Sequence, residues 1–78
     1  MSIEHLTNMA NDIGAFFHAD PVREEGVSGM VNHLRKFWTP RMLQQIVEHL
    51  RQGGEGLEEL PREAVQRLAQ SAASPAQP

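Results

Sequence analysis

Three features of this sequence predict an all-α fold. Apolar residues recur at three- and four-residue intervals through most of residues 3–50. Twice, at Asp20-Pro21 and Thr39-Pro40, a side chain able to cap a helix directly precedes a proline suited to a first helical turn. Gly53-Gly54 closes the third periodic stretch, glycine being suited to the left-handed backbone beyond a helix end. The predicted architecture is a small bundle of three main helices, a shorter C-terminal helix and a mobile tail, with residues 1–70 as one helical domain and 71–78 as the tail.

The first helix is expected over residues 3–18, on the stripe Ile3, Leu6, Met9, Ile13, Phe16 and Phe17, with Ser2 as its cap. Ala10 and Gly14, four apart, form a strip of small residues beside that stripe. The second helix is expected to begin at Asp20-Pro21, where Glu24 and Glu25 suit the positive end of a helix dipole. Its stripe is Val27, Met30, Val31, Leu34, Phe37 and Trp38. Gly26 and Gly29 interrupt it, each costing about 1 kcal/mol of helicity relative to alanine. An antiparallel hairpin turning at His18 to Asp20 would bring Gly14 opposite Gly26, and Ala10 opposite Gly29 or Met30, permitting a close crossing; otherwise the glycines simply bend or fray the helix.

Proline pushes Thr39 out of the helical region, so one helix should end near Trp38 and the next begin at Pro40. That third helix carries Met42, Leu43, Ile46, Val47 and Leu50 on a broad apolar face and runs to about Gln52. After Gly-Gly-Glu-Gly, Pro61 suits the first turn of a fourth helix. Its thinner stripe of Ala64, Val65, Leu68 and Ala69 predicts weak packing.

A chain of 78 residues allows one core, and small domains of this size usually need a disulfide, a metal or a partner. With no cysteine and no obvious metal cluster, a partner subunit or self-association remains. The net charge of −3 disfavours nucleic acid and anionic membranes as partners, and no apolar run approaches the ~20 residues of a membrane span. The start M-S-I-E-H-L does not read as a secretory signal, so a cytoplasmic location is expected.

No reactive constellation is apparent. His5, His18, His33 and His49 lack the i, i+4 spacing of a helical zinc site. Thr39 reads as a cap, and no serine lies in a nucleophile elbow. Glu24-Glu25 and Glu58-Glu59 are adjacent pairs whose side chains do not share a helical face, and the glycine loop lacks the lysine of a phosphate loop. The informative stretch is His33 to Met42. Arg35, Phe37, Trp38, Pro40, Arg41 and Met42 are the candidate contact or elbow residues, the two rings serving either an internal core or an insertion into another protein.

This stretch, H-L-R-K-F-W-T-P-R-M, together with M-A-N-D-I-G-A-F-F over Met9–Phe17 and D-P-V-R-E-E from Asp20, resembles the delta subunit of soluble NAD-dependent formate dehydrogenases across roughly residues 6–50. Thr39 departs from the pattern, since an acidic residue is expected there in many relatives; both residue types cap helices. The resemblance implies a helical accessory subunit without a cofactor of its own. In the parent assembly, the catalytic alpha subunit carries bis-molybdopterin guanine dinucleotide and iron–sulfur clusters, and other subunits carry FMN and the NADH site. Association with the alpha subunit, in support of holoenzyme maturation or stability, is the function it implies. A stand-alone DNA-binding helical module, using Arg35, Lys36 and Arg41, and a homodimeric interaction module are the alternatives.

Overall fold

The structure is a computed structural model that describes residues 2–72, in which four helices are joined in the order α1 (Ile3–His18), α2 (Arg23–Phe37), α3 (Pro40–Arg51) and α4 (Glu59–Ala72), with no strand among the described residues. The expected α-helical class holds, and two boundaries move. At 14 residues α4 is longer than the 12-residue α3, so the C-terminal helix is not the short one. It also takes in Ser71 and Ala72, which were expected in the tail; residues 73–78 lie outside the described residues.

Local chemistry accounts for the helix starts. Ser2 Oγ accepts from the His5 amide at 3.1 Å, and Thr39 Oγ1 accepts from the Met42 amide at 3.2 Å, each satisfying a donor that has no partner inside its helix. Asp20-Pro21 behaves differently from Thr39-Pro40. Asp20 Oδ1 accepts from the Val22 amide at 2.8 Å, folding a local turn, and α2 starts only at Arg23 with Val22 as an uncapped N-cap. An aspartate before proline can serve either turn or cap, and here the turn wins.

The core gathers Leu6 and Ala10 from α1, Val27, Met30, Val31 and Leu34 from α2, Trp38, Ile46 and Val47 from the elbow and α3, and Leu57, Leu60, Ala64, Val65 and Leu68 from the last quarter. In α1 the buried line is Leu6, Ala10 and Gly14, while Ile3, Met9, Ile13 and Phe17 flank it half-buried. The small strip is thus the centre of the face.

The expected weak packing of α4 is overturned. It packs against α2, α3 and α1, whereas α2 and α3 barely touch one another directly. The reason lies just before its periodic stripe: Leu57, Leu60 and Pro61 are buried along with Ala64 and Val65, so the connecting loop and first turn enter the core as well.

α1 and α2 form the expected antiparallel pair, but the glycines meet other partners than each other. A methyl group on Gly14 would overlap the Pro61 ring, with Cδ 2.8 Å away, so the close crossing here is of α1 with α4. A methyl group on Gly26 would lie 2.6 Å from the carbonyl oxygen of Phe17, and one on Gly29 2.8 Å from the Phe17 ring. Ala10 is completely buried beside these approaches. The offset arises because the turn through Asp20 delays α2, and α4 fills the space that a direct glycine-to-glycine contact would have closed.

The loop between α3 and α4 is held on all sides. Gly53, Gly54 and Gly56 take φ of 121°, 66° and 89°, where side-chain-bearing residues are strained. Arg62 donates to the Gly53 and Gly54 carbonyls at 3.0 and 2.9 Å, stapling the end of α3 to α4. From α1, the Asn11 amide nitrogen donates to the Gly56 carbonyl and its oxygen accepts from the Glu58 amide, both at 2.9 Å. Glu58 is the residue before α4, so a side chain of α1 caps the approach to the last helix.

Candidate functional site

The six residues singled out around the elbow do not form one surface. Trp38 is only 6 % exposed and belongs to the core, because the chain leaves α2 in extended conformation there (ψ 143°) and turns the indole inward. Phe37, its neighbour, is 68 % exposed. Pro40 and Arg41 are exposed on the first turn of α3, and Met42 is half-buried against the core. Arg35 points elsewhere: its guanidinium donates to Ser71 Oγ on α4 and lines a groove with Leu43, Val47 and Leu68.

Phe37 instead joins residues that the elbow motif did not suggest. The Phe16 and Phe17 rings pack edge to face at 5.0 Å, Phe17 meets the His33 imidazole at 5.9 Å, and His33 meets Phe37 at 4.8 Å with the planes tilted by 42°. The result is an aromatic row across α1 and α2, exposed at both ends: Phe16 is 74 % exposed. Asp12 and Ile13 line a shallow hollow beside it with Phe16, Phe17 and His33. Gly29 provides the room in which the Phe17 ring lies down on α2. A sequence signal for the row existed. His33 and Phe37 are one helical turn apart, and adjacent phenylalanines sit about 100° apart on a helix, so they do not share one direction into a core.

Electrostatics elsewhere serve cohesion. Arg67 of α4 makes two hydrogen bonds of 2.7 Å to the Glu24 carboxylate of α2, and Arg23 donates to Glu59 at 2.9 Å. The hydrogen bonds from Arg67 hold the Glu24 carboxyl below the usual carboxylate range, and the same contact raises the Arg67 value. The His49 ring lies 2.7 Å from the Glu55 carbonyl oxygen in the glycine loop. Among the described residues no three His, Asp or Glu side chains converge as metal ligands, and the sequence has no cysteine to ligate an iron–sulfur cluster. No helix among the described residues is long and apolar enough to cross a membrane.

Fold and surface together define a class: a small chain with four helices among its described residues, a buried indole at its elbow and an aromatic row on its α1–α2 side that is exposed at its two ends. The chain belongs to the family described as NADH-dependant formate dehydrogenase delta subunit FdsD, which matches residues 5–65. The match runs through α1, α2, α3, the glycine loop and the first half of α4, and it contains the whole aromatic row. No curated protein and no solved structure matches the chain.

Proposed function

We propose that this chain is a non-catalytic accessory delta subunit of a molybdenum-dependent, NAD-linked formate dehydrogenase in the cytoplasm, docking on the catalytic alpha subunit and supporting maturation or stability of the holoenzyme. The observation that carries this reading is membership of the delta-subunit family over residues 5–65, a span that takes in all of α2 and α3, nearly all of α1 and half of α4. The surface chemistry supports it, since exposed rings such as Phe16 and Phe37 suit association.

In this reading the pterin, iron–sulfur and flavin groups reside on the other subunits. Iron–sulfur clusters require thiolate ligands, which a chain without cysteine does not offer. The delta chain contributes contact area, and formate oxidation belongs to the assembly.

The test is deletion and restoration. Removing this chain from cells that produce the complex is expected to lower molybdenum and iron content per catalytic subunit, together with formate-dependent NAD reduction, and supplying it again is expected to restore both. Unchanged metal content, assembly and turnover after deletion would rule out the accessory role.

A further inference from the structure

A cleft of about 530 Å³ opens between α3 and α4, beside the last turn of α2. That volume falls within the ~300–1,000 Å³ of pockets that bury a ligand, and here the space is an open trough rather than a closed cavity. Its lining is mostly apolar: Leu43 and Val47 come from α3, and Leu68 from α4. Val47 and Leu68 already belong to the core, so the trough is a place where that core reaches the surface.

The rim supplies a sign. Glu48 is engaged on α3 itself, 3.7 Å from Arg51 and accepting from the Gln52 amide at 3.0 Å. Arg35 has a neutral partner instead. One nitrogen of its guanidinium donates to Ser71 Oγ, and no carboxylate of the described residues pairs with it. The rest of the planar fork is left for an acceptor arriving with whatever fills the trough, and a carboxylate matches it best. Residues 73–78, which follow α4, contain no Asp or Glu and offer no such side chain. The hollows beside the aromatic row give no comparable indication, because Asp12 and Asp20 line them as well as Arg23.

We infer that this trough seats an apolar segment of another subunit of the formate dehydrogenase complex, with an Asp or Glu of that segment on the Arg35 guanidinium. Leu43, Val47 and Leu68 bury the segment's apolar side chains, and Arg35 fixes its register. The inference rests on the subunit reading above and adds the surface used and the chemistry it meets.

The experiment co-expresses the full chain with the remaining subunits and captures the complex through a tag on the catalytic subunit. Arg35→Gln is expected to weaken retention by about tenfold or more, since losing one partner of a desolvated charge pair is costly. Gln66→Glu, exposed on α4 outside the trough, alters net charge by the same amount and should leave retention unchanged. Ser71→Ala removes the same internal hydrogen bond but keeps the cation, and should be retained like the parent. A benzophenone amino acid placed at Gln44, on the rim, should cross-link to a segment of another subunit that contains Asp or Glu. Retention of Arg35→Gln at the parent's level overturns the proposed site and leaves the subunit reading intact. Equal losses for Arg35→Gln and Ser71→Ala overturn it too, because the bond between them would then serve only the fold. So does a cross-link to residues 73–78 or to a second copy of this chain, which would name a different occupant. Failure of the unaltered chain to be retained at all overturns the subunit reading itself.

Discussion

Gly26 of α2 lies against the carbonyl oxygen of Phe17 at the end of α1, so closely that a methyl group on Gly26 would sit 2.6 Å from that oxygen. The obstacle is backbone, which cannot rotate aside. Gly26→Ala gains about 1 kcal/mol of helix propensity but forces the hairpin apart, and overpacking of this kind costs about 1–3 kcal/mol. A net loss of stability is expected. At Gly29 the obstacle is the Phe17 ring, which can shift, so Gly29→Ala should cost less. Urea unfolding of the two variants side by side checks the order, and a Gly26→Ala chain as stable as the parent would contradict the close approach.

Neighbouring aromatic residues at the elbow are expected to behave in opposite ways. Trp38→Ala removes a core indole and should cost about 3–5 kcal/mol, enough to leave a domain of this size close to unfolding. Phe37→Ala touches an exposed ring and should change stability by no more than about 0.5 kcal/mol. Thermal melts followed by circular dichroism separate the two, and similar losses at both positions would refute the burial difference.

Asn11 is the α1 side chain that holds the glycine loop, through two hydrogen bonds of 2.9 Å. Asn11→Ala should cost about 1–2 kcal/mol, the sum of two ordinary hydrogen bonds, because the groups it leaves behind can turn to water. Hydrogen exchange at the Glu58 amide should accelerate in the variant. Unaltered exchange there would mean that the clamp is not formed in solution.

The Glu24–Arg67 contact gives an acid-side prediction. A carboxyl held below its ordinary range in the folded chain binds its proton less readily than in the unfolded chain. Its contribution to stability is therefore present above the unfolded value and lost as the pH falls through the folded one. Melting temperature should decline below about pH 4, and Glu24→Gln should flatten part of that decline by slightly lowering the melting temperature at neutral pH, where the ion pair is intact, while leaving the acid end nearly unchanged. If the acid limb is identical in both chains, the ion pair contributes nothing measurable.

Much of this fold was legible from periodicity and capping. The ends of α1 and α3 follow from Ser2, Thr39-Pro40 and Gly53-Gly54, each of which has a strong local preference. Where two local solutions compete, sequence does not choose. Asp20 can cap a helix or close a turn, and Phe37 and Trp38 are both apolar, so which ring turned inward depended on the extended conformation at Trp38. The weight of α4 is not legible in its regular stripe because Leu57, Leu60 and Pro61 precede it. Asn11 and Arg62 gave no local signal at all, since their partners are loop carbonyls and amides reached only after folding. For the candidate surface, the elbow motif points to Phe37, while its companions Phe16 and Phe17 come from the last turn of a different helix, about twenty residues earlier in the chain.

The central position of α4 has a bearing on how this protein is made. α4 is the last of the described helices to be made, and until it docks α2 and α3 have little to hold each other by. Before that step the greasy faces of α2 and α3 that α4 covers stay open to water, which is where an incompletely folded chain of this kind is prone to stick to others.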